Sequence, residues 1–230
     1  MENSIRLLST FALMGAVRSL ADKFEAASGV HIDADFAPTL GLLDRLRNGE
    51  AADVLILTRD GLAGLATTGS VIPESCADLA RSHVGLAVKA GSVHPDIASE
   101  AALRKTFLGA RSIAYSRLGA SGIFFAQLIA QLGIASEINA RATIVPQGLT
   151  AERLVSGEAD LAVQQISELK QVAGIEIIGP IPLHLQEPTV FSAGCLAASK
   201  KTEQAAKLLK FLASSEAAPA LRKSGLEPIS

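Results

Sequence analysis

Short apolar runs alternate with amphipathic stretches along almost the whole chain, and this alternation restricts the fold more than any other feature. Ile5-Arg6-Leu7-Leu8 and Asp53 to Leu57 read as strands, the second apolar enough to be buried on both faces. Between them, Met14 to Ser28 places Met14, Val17, Leu20, Ala21 and Phe24 at helical spacing, closed by Gly29. His31 to Phe36 alternates as a strand, and Leu40 to Leu46 reads as a short helix before Asn48-Gly49. A helix follows over Gly61 to Thr67. Further strands are expected at 84–88, 112–115, 143–145, 161–164, 175–178 and 189–197. Helices are expected at 100–108, 121–132, 150–156, 203–214 and 216–224.

Alternation of this kind implies an α/β protein whose sheets are mixed, mostly parallel, and covered by helices on both faces. The strands are too many for one small sheet, and 230 residues suit two lobes of about 100 residues each. Gly- and Pro-rich Lys89 to Pro95 and the stretch His184 to Pro188 mark two crossings. The expected lobes are therefore 1–88 with 190–230, and 89–189. A ligand cleft between the lobes is the expected binding site.

Composition removes several function classes. Lys plus Arg number 21 against 23 Asp plus Glu, a net charge of -2, so no nucleic-acid partner is expected. Aromatic residues are 4%, with no Trp and one Tyr, which leaves little for stacking bases or sugars. Cys76 and Cys195 are far apart in sequence, and His31, His83, His94 and His184 show no ligand pairing. Neither a disulfide scaffold nor a metal site is expected, and no cofactor is implied. No apolar run reaches the ~18 residues of a membrane span, so membrane insertion is not expected. Leu7 to Val17 has the apolarity of a signal-peptide core, but Glu2 offsets Arg6 and no lysine precedes it. The chain as written is thus expected in the cytoplasm, or in the periplasm if a leader has been removed.

Nucleotide and hydrolase motifs are missing. There is no G-x-x-x-x-G-K-[ST], no G-x-G-x-x-G after the first strand, and no G-x-S-x-G elbow around Ser121. What the sequence offers is small polar residues at strand-to-helix turns. Ser9 and Thr10 follow the first strand, Thr39 the second and Thr58 the third, and Ser121-Gly122 opens a later helix. Helix N-termini carry free N–H groups and partial positive charge, so converging turns of this kind hold a small anion; taken singly, each hydroxyl is an ordinary N-cap. Arg81, just before an apolar strand, suits a bidentate carboxylate contact or a surface salt bridge. Gln164 and Gln165 end a buried strand, where two amides need partners from a ligand or from loop backbone.

At these residues the chain resembles the molybdate-binding receptors of ABC importers, within the type 2 periplasmic-binding-protein superfamily. The landmarks are Leu7 to Val17, Gly29 to Leu46, Ala51 to Ile56, Ala120 to Ile123, Ser156 to Leu161 and Leu208 to Pro228. The resemblance implies two α/β lobes that close on a small anion, with an ABC importer as partner for an exported chain. It also implies that Ser121 and Gly148 lie at ligand-contact positions. Ala12 stands where those receptors carry an oxyanion-binding serine, Pro38-Thr39-Leu40 replaces their serine cluster, and their tyrosine falls near Gln165.

Marks of a divergent branch are Asp78 to Ser82, Val84 to Gly91, Ser112 to Tyr115, Gln164 to Leu169, Gly179 to Pro182 and Val190 to Gly194. That branch is also similar to bacterial aconitate isomerase. Two functions are therefore expected as alternatives: binding of a small carboxylate or oxyanion, and isomerisation of an unsaturated polycarboxylate by an allylic proton shift. The second needs a base, for which Glu168 and His83 are candidates, and charge stabilisation, for which Arg81 and the helix N-termini are candidates. An effector-sensing domain like that of LysR-type regulators is a third class, without a helix-turn-helix ahead of Ser4.

Overall fold

The apolar run at the start of the chain becomes an interior strand, β1 (Ser4–Ser9), flanked on both sides by parallel neighbours. The computed structural model describes residues 3–229. From β1 the chain passes through α1 (Met14–Ser28) to β2 (His31–Phe36), then through α2 (Thr39–Arg47) to β3 (Val54–Thr58), α3 (Arg59–Thr67) and β4 (Ala77–Ser82). β2 pairs along one side of β1, from Ser4 opposite His31 to Ser9 opposite Phe36, and β3 pairs along the other. Strand order thus reverses direction at β1, and in open α/β sheets ligands collect at such a point, beyond the carboxyl ends of the strands. Leu7 to Val17 forms the end of β1, a 3-10 turn (Phe11–Leu13) and the start of α1, and most of its side chains are buried.

A second unit, His83–Pro188, holds its own sheet. It runs β5 (Val84–Lys89), α4 (Glu100–Gly109), β6 (Ile113–Tyr115), α5 (Ala120–Gln131), α6 (Ala135–Asn139), β7 (Thr143–Ile144), α7 (Glu152–Val155), β8 (Leu161–Gln165), α8 (Ile166–Leu169) and β9 (Ile175–Pro180). The order is β7-β6-β8-β5-β9, with β6, β7 and β8 parallel and β5 antiparallel to both its neighbours. Alternation sorts the side chains. Leu86, Val88, Ile113, Tyr115, Leu161 and Val163 pack with Leu103 and Phe107 of α4 and Phe125, Leu128 and Ile129 of α5. The small residues Ala87, Ala114 and Ala162 meet Leu154 and Leu169 on the other side. Phe125 sits edge-on to Tyr115, 4.9 Å between centroids, and to Phe107, 5.2 Å, which fixes α5 over the sheet.

The chain then returns to the first unit. β10 (Thr189–Cys195) inserts antiparallel between β3 and β4, α9 (Thr202–Leu212) and α10 (Ala218–Lys223) follow, and β11 (Glu227–Pro228) adds to the edge beside β4. The architecture is the expected two-lobed α/β fold with two mixed sheets. The sheets depart from mostly parallel: every strand pair made by β5 or β10 is antiparallel, because those strands lead into or out of a crossing rather than through a helix.

The first crossing also lies earlier than the Gly-Pro signal suggests. It falls between Ser82 and His83, so β5 belongs to the second unit and not to the first. β4 and β5 are two strands separated by His83 alone, with no turn residues to mark the change of sheet. The Gly-Pro stretch at 89–95 is instead the loop after β5. β4 itself was not expected, since Ala77 to Ser82 carries Asp78 and Arg81 amid few apolar residues.

Candidate functional site

The carboxyl ends of β1, β2 and β3 form one edge of the first sheet, and each gives way to a helical turn. Thr10 follows β1 and is the N-cap of the 3-10 turn, yet its side chain makes no capping bond. Thr39 opens α2 after β2, and its N-cap, Pro38, offers no side-chain cap either. Both threonines are buried, and both Oγ1 atoms lack a hydrogen-bond partner among the described residues. The remaining orphan, Arg141 Nε, belongs elsewhere: its guanidinium donates to the Phe107 and Leu108 carbonyls at the end of α4. An unmade buried hydrogen bond costs about 1–3 kcal/mol. Two such hydroxyls stand at one strand edge, each buried without an acceptor among the described residues.

The other hydroxyls of this edge are occupied. Ser9 donates to the Thr10 carbonyl at 3.0 Å, and Thr58 accepts from the Gly61 N–H at 3.3 Å as the N-cap of α3. Arg81 is exposed on β4 directly opposite Glu227 of β11, a cross-strand pairing of opposite charges. Arg59 pairs with Asp78 at the surface.

In the second unit, the parallel strands β6, β7 and β8 end on a common edge. α5 begins there, with Gly119 as N-cap and no capping side chain. The N–H groups of Gly122 and Ile123 both donate to the Gly119 carbonyl, while Ser121 is buried one residue into the helix. Gly122 is fixed by contact: a Cβ there would lie 1.4 Å from the Ser116 carbonyl oxygen, so only glycine lets α5 start against the end of β6. Gly148, with φ of 90°, turns the chain after β7.

Gln164 and Glu168 follow on β8 and α8, buried and joined. The N–H and hydroxyl of Thr150 donate to Gln164 Oε1 at 2.8 and 3.0 Å. This commits the amide oxygen and turns the amide nitrogen to Glu168, which also accepts from the Gln165 N–H. Glu168 is the third residue of α8 reaching back to its N-cap, the second half of a capping box. Burial pushes its carboxyl up to about 8, with the Gln164 amide and Gln165 N–H opposing the rise.

Because the folded value lies above the unfolded one, Glu168 favours folding fully below about pH 4.5. That contribution is lost as pH rises toward about 8. Unfolding free energy is expected to fall by roughly 3–5 kcal/mol across this window, and Glu168→Gln to remove the slope. Urea unfolding of both proteins at several pH values checks this; equal slopes would contradict it.

The structure thus brings Thr10 and Thr39 to one edge of the first sheet, and Ser121, Gly122, Gly148, Gln165 and Glu168 to one edge of the second. It ties Ser9, Thr58 and Gln164 into local bonds and leaves Arg81 on the surface. His83 anchors α8 through its carbonyl, which accepts from the Ile166 N–H at 2.9 Å. Thr150 went unnoticed in the sequence, although a hydroxyl two residues after Gly148 at a helix start is the kind of signal that marks such a turn. Among the described residues no group of three His, Cys, Asp or Glu side chains is arranged to hold a metal ion, and Cys76 and Cys195 are free. No helix among them is long and apolar enough to cross a membrane.

Similarity to known proteins agrees with the fold. The aconitate isomerase of a Pseudomonas species is 35% identical over 232 residues, covering 98% of this chain and 88% of the relative. The periplasmic molybdate-binding protein of Azotobacter vinelandii superposes with a TM-score of 0.81 at 19% identity, covering 96% of this chain and 98% of that one. The sulfate-binding protein of Mycobacterium tuberculosis gives 0.79 at 16% identity, over 99% and 88%. Both structures share the fold. A family model described as bacterial extracellular solute-binding protein matches residues 5–227. That description gives no support to the cytoplasmic placement expected from the residues ahead of Leu7. With almost its full length matched, the chain belongs to the bacterial extracellular solute-binding protein family.

Proposed function

We propose that this protein binds a small polycarboxylate anion at the carboxyl edges of its parallel strands. The observation that carries this reading is the pair of buried, unpartnered hydroxyls of Thr10 and Thr39. A deprotonated anion accepts hydrogen bonds and donates none, so it suits an edge made of hydroxyls and the unbonded first-turn N–H groups of helices. Ser121, at the uncapped start of α5, extends the same donor chemistry to the second unit. As a receptor the protein would work in the periplasm with an ABC importer, which its family supports.

A second reading, favoured by the 35% identity to an aconitate isomerase, is that the bound anion is turned over. In an unsaturated polycarboxylate a base takes a proton from the methylene beside the double bond. Charge spreads over the allylic system and its carboxylate, where N–H and hydroxyl donors stabilise it, and a proton returns at the far carbon.

Proton NMR of the purified protein with trans-aconitate, then cis-aconitate, tests both. Line broadening of the ligand is expected, and slow appearance of the other isomer would establish turnover. Neither broadening nor conversion would overturn the carboxylate reading.

A further inference from the structure

Among the described residues two carboxylates are buried, Asp53 and Glu168, and they are treated differently. Asp53 receives the Arg6 N–H at 2.8 Å and the Ser199 hydroxyl at 2.7 Å, with the Lys201 ammonium 3.9 Å away. That is the environment of a structural anion, with donors and a cation to match its charge. Glu168 is as deeply buried, but the groups facing it, the Gln164 amide and the Gln165 N–H, are both neutral. A capping box does not call for this burial, since such boxes ordinarily sit at helix starts near the surface. Nor is the Gln164 amide free to turn away, because Thr150 holds its oxygen with two hydrogen bonds. The result is a carboxyl group in a fixed place, one turn beyond the carboxyl end of β8. It stands on the sheet edge that also carries Ser121 and Gly148.

We propose that Glu168 is the catalytic acid–base group of the allylic proton shift. The inference rests on the turnover reading above. In its carboxylate form Glu168 takes a proton from the substrate methylene. The C–H electron pair becomes the new double bond, and the electrons of the old double bond take the proton back from the Glu168 carboxyl at the former vinylic carbon. One C–H bond breaks and one forms, Glu168 ends as it began, and neither oxidant nor cofactor takes part. The two neutral donors hold the carboxyl in either state, while its burial keeps it a stronger base than an exposed glutamate. A base poised near the working pH is what such a transfer requires.

The elements packed most closely on α8 are β5, β8 and β9. β8 has no ionisable side chain. β5 ends in Lys89, which donates to the Val155 carbonyl, and β9 carries Glu176, paired with His94 at 2.7 Å. Lys170, the exposed C-cap of α8, stands at the far end of the helix, and His83 immediately precedes β5. A comparison of pH profiles separates it from Glu168.

The test is conversion of trans-aconitate followed by proton NMR, with wild type, Glu168→Gln and Glu168→Asp. Glutamine still fits the capping box and remains neutral, so the Gln variant is expected to fold and to broaden the ligand signals as wild type does. Its conversion is expected to fall at least about 100-fold. The Asp variant, with its carboxyl drawn back by a methylene, is expected to keep part of the rate. Wild-type kcat/KM is expected to rise with pH to a limb near 8, missing from any residual activity of the Gln variant. Conversion by Glu168→Gln within tenfold of wild type, or an unchanged limb, would overturn the role of Glu168 and leave the isomerase reading standing. Binding without conversion by wild type itself would overturn both. If the Gln variant fails to fold, Glu168→Ala takes its place, and a folded Ala variant that converts trans-aconitate within tenfold of wild type would overturn the role of Glu168.

Discussion

Thr10→Val and Thr39→Val together are expected to weaken binding of trans-aconitate by about a hundred-fold or more while making the unliganded protein more stable. The two effects share one cause. Each hydroxyl is buried without a partner, and valine fills the same shape without a polar atom. Removing the orphans therefore relieves about 1 kcal/mol each in the empty protein. A hydrogen bond to a charged acceptor is worth about 1.5–3 kcal/mol, so losing two costs the complex at least a hundred-fold in affinity. Neither side chain caps its helix turn, so no capping energy is lost to confuse the result. Calorimetric titration and thermal unfolding give the two quantities. Unchanged affinity would show that these threonines do not meet the ligand, and lowered stability would show that they have partners in solution.

The second large effect concerns backbone contact. Gly122→Ala is expected to cost about 4 kcal/mol or more, enough to leave a typical domain largely unfolded on warming. The added methyl would lie 1.4 Å from the Ser116 oxygen and 2.5 Å from its carbonyl carbon, and these are backbone atoms that cannot swing aside. α5 would have to move, and with it the Phe125 contacts to Tyr115 and Phe107. Gly64→Ala is the control. It lies inside α3, a Cβ there meets nothing within 4 Å, and helix propensity alone is expected to stabilise it by about 0.5–1 kcal/mol. Urea unfolding of the two variants should thus shift in opposite directions, and a Gly122→Ala protein as stable as wild type would refute the contact.

The sequence displayed the fold more openly than the site. Burial follows apolar pattern, so strands such as Val54–Thr58 and helices such as Met14–Ser28 announce themselves through periodicity. β4 did not, because a strand that carries the half-buried Asp78 and the exposed Arg81 has a weaker apolar signal than an inner one. The crossing at Ser82–His83 has no composition mark, since a chain may change sheets in extended form. Of the site, the turn hydroxyls could be named, but their fates could not. Thr58 caps α3 and Thr39 caps nothing, and that difference lies in how the chain approaches each helix rather than in the residue. Gln164 looked like a group in want of a ligand until Thr150 was seen to hold it. Its true significance, the pinning of Glu168, depends on a contact across a turn that no local motif encodes.

The insertion of β10 between β3 and β4 bears on how the protein is made. Leu57 lies opposite Ser192 in that ladder, so the middle of the first sheet joins segments far apart along the chain. The second unit is one uninterrupted segment and can fold while the ribosome is still at work. The first must wait, with β3 lacking its neighbour on one side, until β10 emerges. The sheet behind the edge that carries Thr10 and Thr39 is therefore whole only once β10 has been made.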